Sequence, residues 1–319
     1  MTTTVAQMNI NGGDTPLPVA QAAALTQESP EHRWLVEGYW PASGVGVVGG
    51  HPKSLKTWWA LELAVSVATG TPCLGQFQVR KPGRVLIYLA EDSLPDIRDR
   101  LAALCAARQT PLEQLDLYVI TAPSLKLDSP QQLRSLDTTL AQLRPVLLVL
   151  DPLIRLHSAD ESSSHEITPV LGHLRELQRR HDMAIVLVHH ARKNAHRMDQ
   201  GQGLRGSGDI FAWADVLHYL NRESVGVRLT TEHRSAPALD PVVVTLVGEP
   251  PHLEITGSST ANAPSLEERI LKTLATANEP VPRIQLRSLL AVNNQRLGDS
   301  LLKLQNLGRI RRTGDGWHV

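Results

Sequence analysis

Apolar and polar positions along the chain follow two alternating rhythms. Short, nearly unbroken apolar runs recur, and between them lie longer segments in which apolar residues return every third or fourth position. An uninterrupted run reads as a strand covered on both faces, and the longer spacing reads as a helix with a buried face. Strands are thereby predicted at 45–48, 84–90, 117–121, 146–150 and 184–188, and helices at 56–69, 95–108, 130–143 and 165–180. In the first helix Leu61, Ala64, Val65 and Ala68 share one face, and Gly70 stands where a carboxy-terminal cap belongs. Leu101 and Leu104 are the expected inward residues of the second. Repeated strand-helix units of this kind build an α/β fold with a mostly parallel sheet, helices on both faces, and ligands at the carboxyl ends of the strands.

The rhythm then changes. A stretch rich in Gly, Gln and Asn at 194–203 is expected to be a mobile loop, and alternating segments at 216–221, 225–232, 242–247 and 253–256 predict antiparallel hairpins that extend the sheet. Residues 257–264 have linker composition. Three helices at 266–276, 283–290 and 294–307, then a hairpin turning at Gly314-Asp315-Gly316, describe a small winged helix. Residues 1–30, rich in Thr, Ala, Gln, Asn and Pro, show no sustained period and are expected to form a flexible tail. The expected division is a tail at 1–30, an α/β domain at 31–256, a linker at 257–264 and a winged helix at 265–319.

Composition adds limits. With 32 Lys and Arg against 32 Asp and Glu in 319 residues, there is no global basic field, so any nucleic-acid contact must come from local patches. One such patch is residues 265–319, where nine Lys and Arg face five Asp and Glu. Only Cys73 and Cys105 occur, far apart and outside any metal-ligand spacing, so both are expected to be packing residues in a reducing compartment. No apolar run is long enough to span a bilayer, and the amino terminus lacks the order of a signal peptide, which points to the cytoplasm.

Chemistry concentrates at 44–70, where a small-residue strand runs into a short loop ending in Lys56-Thr57 and then into a helix. The pattern G-x-x-x-x-G-K-[ST] is met at Gly50, Lys56 and Thr57, with Leu55 in place of the second glycine. Loop residues Gly50, His51, Pro52, Lys53, Ser54 and Leu55, with Lys56, Thr57 and Trp58 of the helix, form the expected ATP-binding set. Backbone N–H groups would hold the polyphosphate, Lys56 would reach its terminal oxygens, and Thr57 would ligate Mg²⁺. Leu55 is expected to start the helix at negative φ with its side chain turned away. Asp151, at the tip of an apolar strand, is the second Mg²⁺ residue. Glu91, at another strand tip, is either the base that polarises the attacking water or a helix cap. Of His189 and His190, one would sense the terminal phosphate and the other would pack; zinc binding with His196 is the minor alternative. Arg192 and Lys193 either touch phosphates or face solvent. Trp34 and Trp40 are expected to pack beneath the edge of the nucleotide site.

In order, GHPKSLKT, YLAEDS, LLVLDPLIRLH, VHHARK and RGS resemble the RecA-like ATPases of the plasmid replicative helicase RepA type, over roughly 34–256. The resemblance implies ATP hydrolysis with Mg²⁺ and a homo-oligomeric, commonly hexameric, ring on single-stranded DNA, contacted by the loops after Asp151 and His190. It assigns Lys56 and Thr57 to the phosphate loop, Glu91 to the catalytic glutamate, Asp151 to the Walker B aspartate and His190 to the phosphate sensor. Two features depart from it: Leu55, and a helix after RGS that reads DIFAWADVL, without the arginine finger. Arg205 is the nearest substitute, with Arg222 behind it. The winged helix, also outside the RepA pattern, would bind duplex DNA or a protein partner, with Asn294, Gln295 and Arg296 opening its recognition helix. The expected function is a DNA motor of a plasmid, phage or other mobile element; the alternative is an ATP-gated DNA-binding regulator without unwinding activity.

Overall fold

The computed structural model describes residues 18–24, 33–190, 208–258, 266–277, 279–290, 292, 294–314 and 316–319. Within the expected tail, Ala22–Ala24 forms one exposed 3₁₀ turn. A two-stranded ribbon of β1 (Trp34–Val36) and β2 (Trp40–Pro41) leads into β3 (Val45–Gly50), α1 (Lys56–Thr69), β4 (Val85–Leu89), α2 (Leu94–Ala107), β5 (Leu117–Val119), α3 (Pro130–Leu143), β6 (Leu147–Asp151), α4 (Ser164–His181) and β7 (Ala184–His190). Then follow α5 (Gly208–Trp213), β8 (Val216–Arg222), β9 (Val227–His233), β10 (Leu239–Val247) and β11 (His252–Ser258). The large sheet runs in the order β11-β10-β9-β8-β3-β7-β6-β4-β5. Strands from β8 to β5 are parallel, and β8 to β11 pair antiparallel. The α/β fold with antiparallel hairpins expected from the pattern is thus the fold of this region.

Alternate residues of each central strand feed cores on opposite faces, which is why these strands read as continuous apolar runs. Val85, Ile87, Val149, Val186 and Val188 join α1 and α2 on one face. Leu86, Leu148, Leu150, Ile185 and Leu187 join α3 and α4 on the other. Ser93 and Ser129 cap α2 and α3, each followed by a proline in the first turn.

The single buried face expected for α1 is wrong. Every residue from Trp59 to Val67 is buried, because α2 and β11 pack on α1 in addition to the sheet. Burial extends to Glu62, which pairs with Arg108 of the segment after α2 and accepts the Leu74 N–H at 2.8 Å. Gly70 caps the helix at φ 72 as expected. The two tryptophans also lie elsewhere than expected. Trp40 packs under the middle of the sheet against Trp59 and His218, and Trp34 meets His233 edge-on near the amino ends of the parallel strands. Neither borders the phosphate loop. Cys73 and Cys105 are buried free thiols.

Among the hairpins, β9 begins at Val227 because Gly226 turns the chain at φ 76. Strand β11 continues through Gly257 and Ser258, so the first two residues of the expected linker finish a strand instead. Beyond it come α6 (Leu266–Ala275), α7 (Arg283–Leu290), α8 (Asn294–Asn306), β12 (Arg311–Thr313) and β13 (Gly316–His318). They enclose a core of their own built on Ile270, Leu286, Leu297, Leu301 and Trp317. Val281 and Trp317 exchange backbone hydrogen bonds of 2.9 Å, and a Cβ on Gly316 would fall 2.5 Å from the Val281 backbone. Among the described residues, no helix is long and apolar enough to cross a membrane.

Candidate functional site

The order β3-β7-β6-β4 sets four strand tips side by side. Gly50 pairs with His190, and Asp151 pairs with Leu89, just before Glu91. Their carboxyl ends open into a cleft of about 400 Å³ lined by residues 52–58, Glu91, Asp92, Arg100, Asp151 and His190. Sequence-separated side chains therefore reach one place because parallel strands all end on the same side of the sheet.

The loop between β3 and α1 turns tightly. A Cβ on Gly50 would stand 2.4 Å from the Leu220 carbonyl oxygen and 2.5 Å from Ser54 Oγ, so only glycine fits there. Lys53 and Leu55 both take left-handed backbone, at φ 62 and φ 64. The negative φ expected of Leu55 is therefore incorrect. The loop closes onto the amino end of α1 only by turning left-handed at the position the consensus gives to glycine. Leu55 is half-buried, and its side chain packs against the core around α1.

Lys56 Nζ donates to the His51 carbonyl oxygen at 2.7 Å, and burial lowers its ammonium pKa despite the nearby Asp151 and Glu91. Thr57 Oγ1 donates to Asp151 Oδ2 at 2.7 Å. Burial pushes the Asp151 carboxyl up to about 6, with the Asp92 and Glu91 charges adding to it and the Thr57 hydroxyl and Lys56 opposing it. A buried carboxylate beside a threonine hydroxyl, with the phosphate loop adjoining, is a donor set suited to Mg²⁺. Ser54 Oγ is buried in the same loop without a hydrogen-bond partner, a polar group left for a ligand.

The two histidines divide as the sequence suggested. His190 is half-buried and lines the cleft, its imidazole kept below the ordinary pKa by burial and by Lys56. His189 is buried, with Nε2 3.3 Å from Glu161 Oε1; His157 Nε2 lies 3.7 Å from the same oxygen. Although burial works the other way, these two imidazoles hold the Glu161 carboxyl down to about 2. Glu91 does not cap α2, since Ser93 accepts the Asp96 N–H. It is exposed at the mouth of the cleft and pairs with Arg155 at 2.7 Å.

Sequence reasoning passed over Asp92, Arg100, Arg155, His157 and Glu161. Asp92 and Arg155 stand inside the motifs quoted above, but nothing local marks their partners. Arg100 reaches Asp92 at 3.0 Å only once α2 is folded beside the loop. Arg222 ends β8, exposed and outside the cleft. Arg192, Lys193, His196, Arg205 and the loop 194–203 lie outside the described residues, as do the side chains of Asn294, Gln295 and Arg296. Among the described residues, no three His, Cys, Asp or Glu gather in a way that would hold a metal by themselves.

A family model described as an AAA domain matches residues 14–196. The chain belongs to the AAA domain family. That match covers the phosphate loop and the strand tips carrying Glu91, Asp151 and His190. Among solved structures, the chain is similar to an isolated ATPase domain, with a TM-score of 0.53 at 16% identity over 68% of this chain and 86% of that one. It is also similar to a DnaB-like replicative helicase, with a TM-score of 0.52 at 16% identity over 67% of this chain and 57% of that one. The RadB recombinase gives a TM-score of 0.50 at 16% identity over 68% of this chain and 92% of that one. At such identity the shared property is the fold, a RecA-like core. This AAA-domain chain is a P-loop ATPase, whose family implies a bound nucleotide.

Proposed function

We propose that the chain is a Mg²⁺-dependent ATPase that assembles on DNA as a replicative-helicase-like motor of a plasmid, phage or other mobile element. The observation that carries the catalytic part is the 2.7 Å hydrogen bond from Thr57 to Asp151, in a cleft also lined by Lys56, Glu91 and His190. Phosphate-loop N–H groups at the amino end of α1 hold the polyphosphate, and Lys56 leaves the His51 carbonyl to neutralise its terminal oxygens. Bound Mg²⁺, with Thr57 and Asp151 as its protein donors, supplies charge compensation for phosphoryl transfer. Glu91 orients and deprotonates the attacking water once it leaves Arg155. His190 senses the terminal phosphate from β7.

The segments after Asp151 and His190 leave the same end of the sheet, which supports their role along single-stranded DNA. The homo-oligomer, a hexameric ring, would bring an arginine such as Arg205 or Arg222 to a neighbour's cleft. Residues 266–319 would act as a winged helix on duplex DNA, with the exposed Arg309, Arg311 and Arg312 meeting phosphates. The protein would work in the cytoplasm.

The arginine-free α5 favours a second reading, an ATP-gated DNA-binding regulator. Strand displacement on a forked duplex, with Lys56→Ala as control, separates the two. ATP-dependent unwinding that Lys56→Ala abolishes supports the motor. Nucleotide-dependent DNA binding without unwinding, in rings or smaller assemblies, supports the regulator.

A further inference from the structure

Trp58 follows Thr57 directly in the first turn of α1, yet unlike Trp59 it is only partly buried and lines the cleft. Its neighbour across the opening is Arg100 of α2, whose guanidinium carbon lies 5.8 Å from the Trp58 ring centre. Asp92 fixes Arg100 from the other side, 3.0 Å from Nη2. Held at two points, the guanidinium and the indole form one preorganised wall with flat π and cationic surface. The remaining polar lining of the cleft consists of phosphate-loop groups, Glu91, Asp151 and His190, which suit phosphates, metal and water.

A polyphosphate seated on the loop, with its terminal end toward Glu91 and His190, directs its nucleoside end past Thr57 along the first turn of α1. We propose that Trp58 and Arg100 form the wall on which the nucleoside base stacks, so that this cleft recognises nucleoside triphosphates by stacking. The proposal rests on reading the cleft as the ATP site. Stacking carries no hydrogen-bond code, because every base has a π face, and larger rings stack better. Purines should therefore bind ahead of pyrimidines, with little distinction between ATP and GTP.

Calorimetric titration of the full chain with Mg²⁺ and either ATP or inorganic tripolyphosphate tests this. Trp58→Leu and Arg100→Leu should weaken ATP binding about tenfold, the low part of the range for losing one stacked base, and leave tripolyphosphate affinity within about twofold. Trp58→Phe should recover most of the loss, and the preference for ATP over CTP should collapse in Trp58→Leu. Retained tripolyphosphate binding shows that a variant is folded. Equal weakening of both ligands would place Arg100 on phosphate and overturn the proposal, as would unchanged ATP affinity in both variants. Wild-type protein that binds tripolyphosphate as tightly as ATP would overturn the base wall alone. Wild-type protein that binds neither would overturn the ATP site with it.

Discussion

Leu55→Gly isolates the energetic consequence of building a phosphate loop without its second glycine. Leu55 holds φ 64 and ψ 19, a conformation that costs an L-residue about 1–2 kcal/mol and glycine almost nothing. Against this relief stands the loss of a half-buried side chain, about 1 kcal/mol, and the extra unfolded-state freedom of glycine, about 0.5–1 kcal/mol. The opposing effects nearly cancel, so Leu55→Gly should melt within about 3 °C of wild type, roughly 1 kcal/mol for a chain of this size. ATP affinity should be equal or higher, because no side chain then crowds the phosphates. Leu55→Ala keeps most of the backbone strain and loses the packing, which should cost about 1 kcal/mol. Leu55→Ile places a β-branched residue in left-handed backbone and should be the most destabilised and the weakest binder. Thermal melts with and without Mg²⁺-ATP, together with phosphate-release rates, measure the series. Loss of nucleotide binding in Leu55→Gly, or an Ile variant as stable as wild type, would refute the strain argument.

Other substitutions probe the rest of the site. The Asp151 carboxyl sits at about 6 in the fold against an ordinary 3.8, so its native form holds a proton more tightly than the unfolded chain does. That contribution favours the apo fold below pH 4 and is lost as pH rises through 6, up to about 3 kcal/mol. Asp151→Asn should therefore melt higher than wild type without nucleotide at pH 7.5 and lose Mg²⁺-dependent turnover. Glu161, held at about 2 against an ordinary 4.5, works in the opposite sense. Its stabilisation is present above pH 4.5 and disappears as pH falls toward 2, so urea midpoints should drop between pH 5 and 3, and Glu161→Gln should flatten that limb. Arg155→Gln releases Glu91 from an exposed ion pair worth about 0.2–1 kcal/mol, so phosphate release without DNA should rise by up to about fivefold. Glu62→Ala strands Arg108 among buried neighbours and should lower stability by about 3–5 kcal/mol, read from denaturant unfolding.

What the sequence made visible was whatever local chemistry decides. Helices α1, α3 and α7 span the residues their spacing predicts, because capping serines, prolines and Gly70 mark several of their ends. The apolar runs of β4, β6 and β7 identified strands covered twice, and parallel strands ending on one side then brought Glu91, Asp151 and His190 to the loop. What stayed hidden depended on distant chain. Only the return of β11 over α1 explains why Glu62 and Ser66 are buried with the apolar residues. The handedness of Leu55 follows from closing a loop against fixed strand and helix ends, which a residue name does not disclose. The Arg100–Asp92 and Arg155–Glu91 pairs each join elements that adjoin only in the folded sheet. Trp34 and Trp40 looked like neighbours of the site through proximity in sequence, but a strand separates them from its carboxyl end.

Phosphate release by the full chain, with and without Mg²⁺ and beside Lys56→Ala, bears most directly on the proposed ATP site. The intact site should release phosphate from ATP only with Mg²⁺, and Lys56→Ala should lose that activity while keeping its fold by circular dichroism. Equal release by Lys56→Ala and wild type, or release indifferent to Mg²⁺, would contradict the assignment of the cleft formed by Lys56, Thr57 and Asp151.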